Sequence, residues 1–260
     1  MKREVLLAAF MAGACSQSAG ALSLQEGPYI ARAVTLESFA GILRVAGSSG
    51  KEVRFSLEGP EKVISGSRSE LVGDQLTIRV PQVSSGTNTV VRGTVSAVAS
   101  GGGTASVTIG GDAVASDEPT ILNLEVPRDS ELVLLGFVGE GVIAVPLGAL
   151  RAELTAGSLS VGSAGPADLS IQGGGSIDVD SVSRQLTMTV RGGGDITVHR
   201  GSVQRVEVVL DGAGSLGFGG DAMTGRVRAS GAGAVTLGAV STPPEITQEG
   251  AVDVTVGGTR

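Results

Sequence analysis

The sequence predicts an all-β chain wound as a parallel β-solenoid (β-helix), with coils of about 19 residues and a looser β part toward the N-terminus. Three observations carry this prediction. A glycine recurs, apolar side chains follow it at fixed offsets, and no helical periodicity is found after Leu22. Gly157, Gly175, Gly194, Gly214, Gly233 and Gly250 succeed one another at intervals of 17 to 20 residues. Two residues behind them stand Leu159, Ile177, Ile196, Leu216, Val235 and Val252, and four behind stand Val161, Val179, Val198, Phe218, Leu237 and Val254. The residues between are Ser160, Asp178, Thr197, Gly217, Thr236 and Asp253. Each unit therefore alternates in, out, in, the period of a strand with one buried face.

A second strand precedes each glycine, as in Leu169–Ile171, Met188–Val190, Val208–Leu210 and Val227–Ala229. A unit of strand, glycine turn, strand and polar turn cannot bury its apolar face alone. Stacking turns the apolar positions into continuous columns, with backbones about 4.8 Å apart. The clusters Gly173–Gly175 and Gly192–Gly194 suit the corners, because glycine reaches positive φ without steric cost. Upstream, Phe39–Ala46, Val53–Leu57, Leu76–Val80 and Leu122–Pro127 read as strands, forming either the opening coils or a small β cap. Residues 84–117, rich in Gly, Ser, Thr, Ala and Val, read as a long insertion, either a loop or a Val-rich hairpin.

Composition agrees. Glycine fills 42 of 260 positions, yet 41% of the chain is hydrophobic and the net charge is only −7, enough apolar material for a core. No glycine recurs at every third position, and no apolar run reaches the roughly 18 residues of a spanning helix. The excess of 26 acidic over 19 basic residues, with no Lys/Arg cluster, argues against nucleic acid as a partner.

Met1-Lys2-Arg3-Glu4 followed by the apolar stretch Val5–Ala14 has the pattern of a secretory signal, so residues 1–21 are set apart from one solenoid domain at 22–260. Cleavage is expected either before Cys15 or after Ala19-Gly20-Ala21. Ala12-Gly13-Ala14-Cys15 resembles the lipobox of bacterial lipoproteins, which implies a lipidated Cys15 and a short polar tether, Ser16 to Leu24. The second cut releases a soluble protein without cysteine. Both routes export the chain.

The order Phe39–Val45, a strand ending in Val126-Pro127, then units such as Ile171–Val179 and Val190–Val198 resembles the head GIN domain of auto-transporter adhesins over residues 36 to 256, with a poor match in the insertion. The resemblance implies a parallel β-helix in the bacterial cell envelope, outer-membrane lipoprotein or periplasmic, at the surface in some members. No catalytic motif comes with it.

Candidate sites are sparse. Gly212-Ala213-Gly214-Ser215-Leu216-Gly217 spells GxGxxG after a strand, but the same slots recur in other units and no helix is expected to follow, so no cofactor is assigned. Asp178, Asp180, Asp195, Asp211 and Asp221 fall on or near one stretch of the solenoid, where clustered carboxylates could hold Ca²⁺ or act as an acid/base pair. The polar outer positions of any soluble solenoid explain them equally, and no metal is assigned. His199, the only histidine, reads as a solvated edge residue, with no GxSxG nucleophile to serve. Ser160, Thr197 and Thr236, flanked by Ser158, Ser176 and Ser215, form a candidate hydrogen-bonding surface.

The expected function is a non-catalytic envelope module, adhesin-like or a scaffold, anchored by lipidated Cys15 and binding a protein or glycan. The membrane contributes only through the lipid. The alternative is a structural solenoid that associates with itself through its terminal strands, since Val252–Val256 leaves an open edge unless Gly257 to Arg260 fold over it. A third class is a carbohydrate-active β-helix enzyme, which lacks an aromatic platform for a sugar here.

Overall fold

The computed structural model describes residues 22–81 and 119–258; Cys15, the leader and the insertion at 84–117 lie outside the described residues. It is a parallel β-solenoid of about 7 turns with coils of about 19 residues. The first coil in chain order consists of β2 (Ala33–Glu37) and β3 (Ala40–Gly47), with a corner at Ser38 and Phe39. The coil formed by β8 (Glu131–Ile143) lies parallel to both, Ala33–Glu37 against Glu131–Leu135 and Ala40–Val45 against Val138–Ile143. The parallel ladder continues through β9 (Ala149–Ala164), β10 (Ala167–Gly212), β11 (Ser215–Phe218), β12 (Asp221–Leu237) and β13 (Glu245–Val256).

The looser N-terminal part is both opening coil and cap. Between β3 and β8 the chain forms β4 (Val53–Gly59), the helix α1 (Glu61–Gly66), β5 (Arg68–Val72), β6 (Gln75–Arg79) and β7 (Ile121–Val126). β6 runs parallel to β2, and β7 parallel to β3, on the side away from β8. Together they make one more coil, stacked outside the first. β5 lies antiparallel on β6, β4 antiparallel on β7, and β1 (Leu22–Tyr29) antiparallel on β4. Leu22 to Leu24 belong to β1, so the tether expected at Ser16 to Leu24 ends before Leu22. The helix was not expected: six residues behind Pro60, with only Val63 buried, are too few to show a period.

Inside the coils the apolar positions stack as read up to Val235, and in the last coil Val254 takes the place expected for Val252. Leu122, Leu43, Gly141, Leu159 and Ile177 are successive neighbours, as are Ile196, Leu216, Val235 and Val254. Phe39 and Phe137 fill the wider interior near the cap, with ring centroids 6.0 Å apart.

The corners explain the glycines. A Cβ on Gly157, at φ +111°, would lie 2.8 Å from the Gly139 amide nitrogen and closer still to its carbonyl oxygen. Gly175, Gly214 and Gly233 meet the carbonyl oxygens of Gly157, Gly194 and Gly214 in the same way. Two residues earlier a second column runs through Gly192, Gly212, Gly231 and Gly250, each facing the previous coil's glycine or, for Gly192, Gly173. This second column corrects the reading of the last coil. Gly250 pairs with Gly231, and Val252, Val254 and Val256 lie beside Gly233, Val235 and Leu237. The last coil keeps one glycine of the pair, and it is the one from the other column.

The two ends differ. At the cap, Tyr29 stacks on Phe55 at 6.4 Å, and its hydroxyl donates to Glu26 (2.5 Å), which also accepts from Ser69 of β5. At the far end, Gly257 N–H donates to Leu237 O (2.9 Å) and Val240 N–H to Gly258 O (3.3 Å). Residues 257–258 thus bond back to earlier residues, and among the described residues β13 pairs with β12 alone.

Two outcomes follow for stability. Gly157→Ala should destabilise by about 2–4 kcal/mol, from positive-φ strain plus the backbone clash. Gly217→Ala, with open space around it, should stay within about 0.5 kcal/mol. Denaturant unfolding of the two variants checks both. Burial, then the Glu26 bond, pushes the Tyr29 phenol above its ordinary pKa of 10.0, against a smaller lowering by Ser69. The fold thus favours the protonated phenol; this contribution is complete below the unfolded pKa and is lost as pH rises through the folded one. Melting curves at rising alkaline pH should fall more steeply for the wild type than for Tyr29→Phe.

Candidate functional site

The second strand of each coil, after the glycine corner, carries a regular outer face. One column runs Asn123, Arg44, Val142, Ser160, Asp178; further along, Thr197, Gly217, Thr236 and Thr255 are successive neighbours. A parallel column runs Ile121, Ile42, Glu140, Ser158, Ser176, and its later part is Asp195, Ser215, Ala234, Asp253. Adjacent strands at about 4.8 Å place these hydroxyls and carboxylates at regular intervals along the axis. The expected column members therefore lie on one face. Ser158 and Ser176 are direct neighbours, and Ser215 stands beside Asp195.

The five aspartates do not converge. Asp178 and Asp195 lie on this face, Asp180 at its edge, Asp211 on the strand before the glycine corner, and Asp221 at the start of β12. Among the described residues no three His, Cys, Asp or Glu side chains are placed to hold a metal ion. Most of the carboxylates are instead engaged between coils. Asp178 Oδ2 lies 2.9 Å from His199 Nε2, and Asp180 accepts from Arg200. Asp195 Oδ1 accepts from the Ser215 amide (2.9 Å) and hydroxyl, and Asp211 accepts from Ser230 (3.0 Å). His199 is exposed, as expected for an edge residue, and its partner is Asp178.

The glycine motif Gly212–Gly217 forms a corner between two strands. Gly212 ends β10, Ser215 opens β11, and no helix N-terminus is there to receive a phosphate. Other cross-coil contacts escaped the sequence reading: Gln172 to Glu153, and Arg226 to Glu245 at 2.8 Å. Their signal was available, since each pair is separated by one coil length. All are exposed pairs worth about 0–1 kcal/mol each, so they order the surface more than they hold the fold.

A family model described as putative auto-transporter adhesin, head GIN domain, matches residues 38–257. The chain belongs to that family. Among solved structures the head GIN chain is similar to a putative adhesin from Bacteroides fragilis NCTC 9343, at 12% identity and TM-score 0.48, covering 93% of this chain and 95% of that one. A putative adhesin from Parabacteroides merdae ATCC 43184 matches at 10% identity and TM-score 0.47, covering 93% and 97%. A putative lipid binding protein from Parabacteroides distasonis ATCC 8503 matches at 14% and TM-score 0.44, covering 93% and 98%. No curated protein matches. The family match agrees with the resemblance read from the glycine units.

With its carboxylates spread over two faces and several held by neighbours, the head GIN solenoid should not gain stability from calcium. Millimolar Ca²⁺ is expected to leave the melting temperature unchanged in differential scanning fluorimetry, where a bound ion would raise it.

Proposed function

We propose that this chain is a non-catalytic module of the bacterial cell envelope that presents its acid-and-hydroxyl face to a protein or glycan ligand, held at a membrane by lipidated Cys15. The observation that carries this reading is the outer face itself. Short side chains (Ser158, Ser160, Ser176, Asp178, Asp195, Thr197, Ser215, Thr236) stand in straight columns on a backbone whose register is fixed by the core. Such a face is preorganised, so ordering it costs little on binding. Short hydroxyls and carboxylates supply both donors and acceptors to a polar partner. The family name, adhesin, supports the same reading, and so do relatives named for adhesion and not for catalysis.

The position of β1 supports the anchor. β1 is an outermost strand of the cap, at the opposite end of the sheet order from β13. Six residues, 16–21, separate Cys15 from it and extend at most about 21 Å. Seven turns at about 4.8 Å rise give a body roughly 34 Å long, with the cap next to the bilayer and β13 away from it.

The test is protease shaving of intact cells expressing the full chain, with lysed cells as the control. Loss of the protein from intact cells, and release of Cys15→Ser from the membrane fraction, is the expected result. Cleavage only after lysis would overturn the adhesive reading, and an unchanged membrane fraction for Cys15→Ser would overturn the anchor.

A further inference from the structure

Five outward acids meet a partner toward the C-terminal end, whereas Asp168 lies 3.9 Å from Arg151, one coil toward the N-terminus. Glu153 accepts from Gln172, Asp178 meets His199, Asp180 accepts from Arg200, Asp195 from Ser215 and Asp211 from Ser230. In these five the partner lies one coil toward the C-terminus, 19 to 21 residues on. At β13 the ladder stops. Glu245 bonds back to Arg226 at 2.8 Å, but Glu249 and Asp253 are exposed and have no side-chain partner among the described residues. Between Arg228 and Arg260 the sequence holds no Lys, Arg or His.

The backbone at this end is equally unfinished. β13 pairs with β12 over twelve consecutive residues without a bulge and turns with it at the Gly250 corner; its outer edge presents backbone N–H and C=O groups, although the Val252 carbonyl accepts from Gln248 and the Val256 carbonyl from Gly258 N–H (3.0 Å). Its inward side chains, Val254 and Val256, are only partly buried, and Ile246 is 43% exposed. Gln248 interrupts the apolar row before the corner, beside buried Ala229, and Val252, Val254 and Val256 continue it after the corner; an edge with that apolar row and unpaired acids is a template for one more strand.

We propose that β13 takes up an extended segment of a partner protein by strand addition, with Lys, Arg or hydroxyl donors at alternate positions facing Glu249 and Asp253, and small apolar side chains at the others. Charge selects this occupant over a second copy. Pairing β13 with the β13 of another chain would bring Glu245, Glu249 and Asp253 together with the same three acids, and like charges across a strand pair are unfavourable. A strand bearing hydrogen-bond donors instead continues the pattern of the five earlier acids, which meet Gln172, His199, Arg200, Ser215 and Ser230, and cationic donors add the opposite charge. The inference concerns the end of the solenoid and stands apart from the lateral face proposed above.

The experiment uses fluorescence anisotropy with a labelled peptide the length of β13, 12 residues, alternating Val with Lys and Thr. The same peptide with Glu for Lys is the comparison. Binding of the basic peptide is expected to weaken about tenfold in Glu249→Lys/Asp253→Lys, with the acidic peptide now preferred, and to weaken as salt rises. Glu58→Lys/Glu61→Lys, an equal charge change at the cap, should leave it unchanged. Hydrogen exchange should show residues 245–256 gaining protection when peptide is added. Four results would overturn the proposal: no binding, equal weakening by the cap variant, β13 edge amides already protected in the free monomer, or a dimer in light scattering that Glu249→Lys/Asp253→Lys dissolves.

Discussion

Everything in this molecule depends on how closely the backbone of one coil passes the backbone of the next at the glycine corner. There a carbonyl oxygen occupies the space where the following coil would carry a Cβ, and the contact repeats from Gly41 through Gly139 and Gly157 to Gly175. Glycine is needed there because the volume is already filled, a stricter requirement than flexibility. This accounts for a glycine-rich chain that is ordered: each glycine removes a clash that would otherwise force the ladder apart. It also holds the register. A slip of one residue in any coil would place a side chain against that carbonyl and send the inward Leu and Val residues to the outside.

Once register is fixed, outward chemistry acquires a long-range rule. Residues about 19 apart become cross-strand neighbours, so that a carboxylate in one coil meets an imidazole, guanidinium or hydroxyl in the next. The result differs from an active-site cleft. Groups are spread along columns instead of converging, and most are solvated, the geometry on which the proposed binding role rests.

Much of this was legible in the sequence because a solenoid writes its tertiary contacts as a period. The inward columns through Leu159, Ile177, Ile196, Leu216 and Val235 could be read by spacing alone, as could the serines and threonines on the outer face. The last coil was misread because the corner holds two glycine columns two residues apart, and only the register of β12 with β13 shows which one Gly250 continues. The cap was legible only as separate strands. β6 and β7 form one coil although about forty residues part them in the chain, and they stack outside a coil that precedes both. Order in space and order in sequence disagree there, and no period reports it. The aspartates looked like one cluster because sequence proximity does not say which of two faces an outward residue belongs to. Asp211 and Asp195 are separated by a corner.

A repeat also cannot specify its own ending, since each coil is stable only through its neighbours. At the N-terminal end the chain solves this with its own material. Antiparallel β1, β4 and β5 change the strand direction, α1 contributes the buried Val63, and Tyr29, Glu26 and Ser69 tie β1 to β5. At β6 and β7 the sheet changes from parallel to antiparallel pairing, each strand having a parallel neighbour on one edge and an antiparallel one on the other. At β13 direction and register continue to Val256, but Gln248 takes the slot beside buried Ala229 and donates to the Val252 carbonyl across the corner. Carboxylates at this end repel a copy of themselves, so in the proposed strand addition charge selects the occupant, whereas the N-terminal end is overlaid by antiparallel strands of the chain itself.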